Sequence, residues 1–431
     1  MDKNRRIKPH IIICHLAIVC ILMLAGGCHK KPEQVENKTI YIDGNLQDNI
    51  DKVNHGDTVI IRNGTYRENI WIVDDMTVIG ETKDAVIIIP TTQNMQTGVL
   101  VDRGAKVTLK NLTIKCSETS SRNIVDFGFA VCGNAELEIS DCSASGAKFQ
   151  GIMVHNSKAN IHNCNFENNQ QYGVDIRGSE ATIRNCMLFS NGYGGVCSST
   201  KEEKGEKAFS KIEVAGCYCR GGKYGLYAEG NSTGEIRNST ISSTTISGVY
   251  TSDCTGSLII KGNGVKDNKF GIQLYHPVQT EVIGNTVSNS SESGILIRET
   301  NEVVTVKDNQ SNNNKYEGIF VYNPNSDFNV YISNNKCSGN GHCGIWTQEG
   351  KVVIEGNECN NNLENGIGIN YFVTGKILNN TCKANNQVGI RTYHPANKMI
   401  IEQNVLEDNG MWGIYGFGEG VDVAANITSS K

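Results

Sequence analysis

The sequence predicts an all-β fold: a single-stranded, right-handed parallel β-helix with rungs of about 22–24 residues and a short N-terminal capping helix. Three observations carry this expectation. A Gly followed by an apolar residue returns at Gly128, Gly151, Gly173, Gly195, Gly225, Gly248, Gly271, Gly294, Gly318, Gly344, Gly366, Gly389 and Gly413, at intervals of 22 to 30 residues. Each Gly opens a stretch of period-two alternation, such as Gly151-Ile152-Met153-Val154, so successive side chains face opposite ways. A second short strand follows at constant phase. Its inward aliphatic runs from Ile139, Ile161 and Ile183 to Ile354, Ile377 and Ile401. Three residues later comes a turn slot that holds Cys142, Cys164, Cys186, Cys217, Ser239, and then Asn from Asn263 to Asn404. No helical segment separates the strands and no leucine-rich pattern is present, so each rung buries its apolar face only by stacking on the next. Stacked Asn amides in the slot can hydrogen-bond along the coil axis and satisfy the buried turn.

The elements follow in order. Residues 1–28 read as an export signal, with Lys3, Arg5, Arg6 and Lys8 before an apolar core from Ile11 to Leu24, then Ala25-Gly26-Gly27 and Cys28. The apolar run is too short to span a bilayer comfortably. The segment resembles a bacterial lipoprotein signal, which implies lipidation of Cys28 and anchoring in the cell envelope. His29 is not the Asp that resembles a retention signal, so the outer membrane or cell surface is favoured. Residues 29–38 form a linker, and 39–115 hold the cap and first turns. There Leu46–Val53 is amphipathic and suits a helix covering the first rung, whose core and strand edge would otherwise be bare. Residues 116–420 are the repeats, and 421–431 a C-terminal tail.

The series Gly56-Asp-Thr-Val59, Gly64-Thr-Tyr-Arg-Glu-Asn69 and Thr77-Val-Ile-Gly80, followed by the Gly-marked rungs, resembles the pectin-lyase-like β-helix superfamily. Within it, the chain is most similar to the carbohydrate-binding and sugar-hydrolase β-helix proteins, over residues 39 to about 418. The resemblance implies the fold but no single activity, because members include lyases, hydrolases, epimerases, esterases, adhesins and accessory proteins. The Asp-Pro-His signature of alginate epimerases and the paired Asp motifs of polygalacturonases are absent. Val125-Asp126-Phe127 is similar to the catalytic Asp segment of pectin methylesterases, but Gly-Phe-Ala follows it and the partner Gln and Arg motifs are missing.

Thirteen of the 16 Cys lie beyond Cys28. Cys142, Cys164, Cys186 and Cys217 share the turn slot, and Cys219, Cys337, Cys359 and Cys382 the inward position two residues later. These places make them small apolar fillers, with bridges between rungs geometrically open to them. No Cys-x-x-Cys or His-Glu-x-x-His spacing exists, so no metal site is expected. No cofactor is expected either; calcium stays open, without a motif.

Residues two, four and five places after each Gly should face solvent. Flat aromatic rings stack on sugars and Arg forks hold carboxylates bidentately. The expected glycan-binding residues are therefore Tyr250, Phe320, Tyr322, Trp346, Arg391, Tyr393 and His394. Asp253, Tyr275, His276, Arg298 and Glu299 lie on consecutive rungs and form the catalytic candidate. Arg298 would neutralise a uronate carboxylate while His276 or Tyr275 moves the adjacent proton, the chemistry of a uronate lyase or epimerase; as an enzyme the chain would be a polysaccharide lyase, hydrolase or epimerase acting on a uronate-containing glycan. Tyr275-His276-Pro277 recurs as Tyr393-His394-Pro395, which a repeated structural turn also explains. The charged stretch Lys201–Lys207 should form an exposed loop walling the same face. A formal net charge of −5 gives no reason to expect nucleic acid. Two classes remain open. One is an envelope lipoprotein that binds and processes an acidic polysaccharide or cell-surface glycan. The other is a non-catalytic structural, adhesin or assembly protein. A monomer touching membrane only through its lipid is expected.

Overall fold

A computed structural model describes residues 37–430 apart from 93–94, 118–123, 201–208, 325–326, 328 and 417. The export signal, Cys28 and the charged stretch 201–207 lie outside the described residues.

The chain coils into a parallel β-solenoid. The first sheet has 17 strands, from Thr39–Ile42 to Val421–Ala424, and the second has 15, from Ile70–Ile72 to Trp412–Tyr415. The third has 11 strands, from Gly64–Tyr66 to Gln310–Asn312, and continues through single bridges at Lys336 and Glu358 into three more, ending at Ile427–Ser430. Register places the predicted inward aliphatics directly above one another: Ile139 on Ile161, Ile161 on Ile183, Ile354 on Ile377, Ile377 on Ile401. All are buried in one core that runs from Ile42 to Leu406. Each such side chain contributes about 1.5–3 kcal/mol on burial, and none is buried without the rungs on either side.

The Gly stripe has a steric cause. A Cβ on Gly151 would lie 2.7 Å from the carbonyl oxygen of Gly173, and one on Gly318 2.6 Å from that of Gly344. Successive rungs approach too closely there for a methyl group.

The turn slot behaves as its composition predicts. The residue before it is left-handed, as at Asn185 (φ 54°), Asn238 (φ 51°) and Asn334 (φ 54°), a conformation Asn and Gly accept most readily. The slot amides then form a ladder. Asn309 Oδ1 accepts both the backbone N–H of Asn285 (2.9 Å) and its Nδ2–H (3.0 Å), and Asn309 Nδ2 donates to the Val282 carbonyl (2.8 Å). The same pattern continues through Asn335, Asn357, Asn380 and Asn404. In the N-terminal rungs the slot is sulfur: Cys164 and Cys186 each donate to a carbonyl of the rung before, at 3.7 Å. The described cysteines are unbridged, and all of them except Cys132 are buried.

Three features differ from the sequence reading. Residues 421–430 are not a tail: Asn404 donates to Asn426 (2.8 Å), Val423 sits above Ile401, and the segment forms a further partial rung. The capping helix is Leu46–Ile50 rather than Leu46–Val53, because Lys52 and Val53 bond to Asn49 and Ile50 in tighter i→i−3 turns. A second amide ladder, four residues before each Gly, was not anticipated. It joins Asn314, Asn340, Asn362, Asn385 and Asn409 at 2.9–3.1 Å.

Candidate functional site

The outward phase of the second sheet follows the prediction. Tyr227, Tyr250, Gln273, Leu296, Phe320 and Trp346 are register neighbours, as are Ser252, Tyr275, Arg298, Tyr322 and Gln348. Outward does not mean exposed, however. Asp175, Cys197, Gln273 and Leu296 are nearly fully buried because taller neighbours close over them. Asp175 is held by Arg177 (2.6 Å) and Gln150 (2.9 Å), and Gln273 by the Ser247 hydroxyl.

The tyrosines spend their faces on one another. Tyr227 and Tyr250 stack with centroids 5.3 Å apart and planes 9° from parallel, Tyr224 packs against both, and Tyr250 meets Tyr275 at 5.5 Å. What they offer outward is ring edges and phenol hydroxyls. Burial raises the Tyr224 and Tyr250 hydroxyls above their ordinary value, so they stay neutral donors. At the end of the ladder the Arg298 guanidinium lies between two rings, 5.4 Å from Tyr275 and 5.2 Å from Tyr322, and donates to the Tyr275 hydroxyl at 3.4 Å.

Asp253, His276 and Glu299 occupy the same corner on three consecutive rungs, each left-handed (φ 51°, 46° and 54°). Other rungs place Asn156, Gly178, Gly230 and Glu349 at that corner in the same left-handed conformation, which Gly, Asn, Asp and His accept more readily than Glu. His276 Nδ1 lies 2.7 Å from Asp253 and Nε2 3.0 Å from Glu299. Hydrogen bonding to Glu299 first, and to Asp253 as well, raises His276 above its ordinary value; Ser252 and then His276 lower Asp253. The structure thus gathers all five catalytic candidates. It holds His276 between two carboxylates with both ring nitrogens engaged, a better link between corners than a proton acceptor.

The remaining glycan-binding candidates split. Trp346 packs between His342 (5.0 Å) and Tyr393 (5.2 Å) and over Gly368, where a Cβ would strike its ring. It is half-buried rather than freely exposed. Phe320 flanks it on the preceding rung, and Arg391 lies over Tyr393 at 4.2 Å. His394 leaves this group and sits with the exposed Tyr371 (4.9 Å) and Phe372 (5.1 Å) at a corner.

Two features escaped the sequence reading. His342 is held by two carboxylates, Glu317 and Glu364, each at 2.8 Å, with Cys343 beside it. Cys343 and then Glu317 raise His342 to about 10. Burial alone would raise Glu317, but bonds from His342 and Ser293 outweigh it and lower the carboxyl. These residues stand one or two places before Gly318, Gly344 and Gly366, which is the signal that could have found them. The second is a cleft of about 880 Å³ beside the capping helix, lined by Gln47, Asp51, Arg67, Trp71, Leu100 and Arg103. Arg103 stacks over Trp71 at 4.7 Å. Among the described residues no helix is long and apolar enough to cross a membrane.

The family model described as the right-handed β-helix region matches residues 49–204, 150–311 and 271–428. The chain belongs to the right-handed β-helix family. Among curated proteins none matches it. Solved structures do. The A-module of an Azotobacter vinelandii mannuronan C-5 epimerase is 15% identical, with a TM-score of 0.32, covering 87% of this chain and 91% of that one. A periplasmic alginate epimerase is 11% identical, with a TM-score of 0.37, over 91% and 83%. Tailspike protein 3 of bacteriophage CBA120 is 11% identical, with a TM-score of 0.38, over 86% and 56%.

Proposed function

We propose that the outward face from Tyr227 to Tyr322 binds an acidic polysaccharide laid along the coil axis, and that the chain is an exported envelope protein anchored through Cys28. The observation that carries the reading is the Arg298 guanidinium held between Tyr275 and Tyr322 at the end of a tyrosine ladder. A guanidinium pre-positioned by two rings is suited to take a sugar carboxylate bidentately. The phenol edges beside it supply hydroxyl contacts rung after rung, at a repeat of about 4.8 Å. The Asp253–His276–Glu299 cluster carries one net negative charge when His276 is protonated, so it favours sugar hydroxyls and leaves the carboxylate to Arg298. With both ring nitrogens of His276 engaged, binding is better supported than turnover.

The test is an array of uronate-containing and neutral glycans probed with the wild type and Arg298→Ala, followed by an unsaturated-uronate absorbance assay on any ligand found. Acidic glycans should bind, and Arg298→Ala should weaken them about ten-fold, roughly 1.4 kcal/mol, while sparing neutral ones. Equal binding of acidic glycans by both proteins removes Arg298 from the site. Absorbance growth would add lyase turnover to binding, and no glycan binding at all would favour the structural or adhesin class.

A further inference from the structure

The corner beside Trp346 holds a donor set that the glycan reading does not use. We infer that His342, Cys343 and Glu364 form a binding site for a divalent metal ion of the borderline class, zinc being the type. His342 and Cys343 precede Gly344, and Glu364 precedes Gly366 on the next rung, so the coil itself stacks them. Their ligand atoms lie within 4.8 Å of one another. Bonds of about 2.0–2.3 Å to a tetrahedral zinc put ligand atoms about 3.3–3.8 Å apart. The present 2.8 Å between His342 Nε2 and Glu364 Oε2 therefore has to open by about half an ångström. Imidazole nitrogen, thiolate sulfur and carboxylate oxygen together suit zinc and not calcium or magnesium, which take oxygen alone.

The surroundings are those of a supported ligand set. His342 Nδ1 is fixed by Glu317 at 2.8 Å. Glu317 is itself only 8% exposed and is held by the Ser293 hydroxyl at 2.6 Å. That leaves Nε2 as the metal-facing nitrogen, the carboxylate–histidine arrangement that orients ligands in metal centres. Asn365 Nδ2 donates to the Cys343 sulfur at 3.5 Å and to the Tyr393 hydroxyl at 2.9 Å, fixing the other side. Cys343 is fully buried at the floor, while the side chains of His342 and Glu364 keep 26% and 34% of their exposure, so an ion has an entry path from solvent. Three protein ligands leave one coordination position for water or a ligand on the aromatic face. Were the cluster only a charge-paired staple, no ion would bind.

The experiment uses the full chain stripped with a chelator. Zinc is titrated against a chromophoric competitor, cobalt(II) is added in parallel for its thiolate charge-transfer band, and folding of each variant is checked by circular dichroism. One zinc per chain is expected. Cys343→Ser should abolish the cobalt band and weaken zinc at least ten-fold, and Glu364→Gln should weaken zinc while keeping the band. Glu317→Gln, in the supporting layer, should cost about 10–100-fold. Absence of stoichiometric zinc, or affinity and band unchanged in Cys343→Ser and Glu364→Gln, overturns the site. No glycan enters the assay, so its outcome is separate from that of the binding reading.

Discussion

The two halves of the coil close the same turn with different chemistry. From Cys142 to Cys217 the slot holds thiols; from Asn263 to Asn426 it holds amides, with Ser239 at the change-over, where the Cys217 N–H meets its hydroxyl and its own N–H meets Asn263. Both halves give the backbone N–H of one rung an acceptor on the next: a sulfur in the first, as from the Leu112 N–H to Cys142 at 3.4 Å, an amide oxygen in the second. Only the amide also donates strongly, linking its own oxygen to the rung before and its nitrogen to the rung after. The slot thus requires an acceptor, and the amide adds a continuous polar thread that the thiols replace with apolar filling.

The largest expected effect tests that difference directly. Asn309→Ala removes the acceptor of two Asn285 donors inside a buried turn and should cost about 2–3 kcal/mol. Cys186→Ala removes one weak donor, the weak sulfur acceptor of its slot and a sulfur's volume, and should cost about 1 kcal/mol. Urea midpoints measure both, and equal losses would erase the distinction between the halves. The reciprocal change is smaller. Cys186→Asn puts an amide where the Ile161 carbonyl already receives a hydrogen bond, so it should stay within about 1 kcal/mol of the wild type; collapse of the fold would show that the sulfur half needs its volume more than its polarity.

Thiol reactivity sharpens the comparison without an energy. Burial pushes Cys116 and Cys254 up to about 12, and Cys132, the one half-exposed thiol of the set, to about 11. A disulfide reagent at neutral pH should therefore label the described cysteines slowly and Cys132 first, the rest following only with denaturant. Fast native labelling of Cys186 would mean that the sulfur half opens.

The smallest effect lies on the amide half's surface. His276 is raised in the folded state, so its contribution to stability is full below about pH 6.5 and is lost as pH rises through the folded value. Asp253 is lowered, so its contribution is present above about pH 3.9 and is lost as pH falls. The cluster therefore helps most between roughly pH 4 and 6.5, and modestly, because Asp253 and Glu299 are largely solvated. The stability gap between wild type and His276→Gln should narrow between pH 6 and pH 9. A gap independent of pH would show that His276 contributes by shape alone.

Much of this was legible because the coil repeats its environments. One inward aliphatic predicts the next, and the Asn slot is visible at a spacing of 22–26 residues. The same spacing leads from Asn404 to Asn426, so the final rung was present in the sequence, but it lacks the Gly-aliphatic mark and passed as a tail. The second amide ladder was hidden by abundance: Asn314 follows Asn312 and Asn313, and Asn362 follows Asn360 and Asn361, so its phase does not stand out. The outward residues were placed on the right face, while their exposure was not readable. Whether Tyr227 shows a face or an edge depends on Tyr250, one rung and 23 residues away. His342, Glu317 and Glu364 come together only through the corner geometry, which strand periodicity does not describe.

The in-register pairing also has a consequence for how the chain is made. Each strand finds its partner one rung back, so every rung costs nearly the same short loop closure, and none waits for a distant segment. Once the capping helix and first turns have formed at the N-terminal end, each following rung has a finished template to add to. The coil can therefore grow turn by turn behind the emerging polypeptide, in the order of synthesis, with its most recent edge as the only unfinished surface.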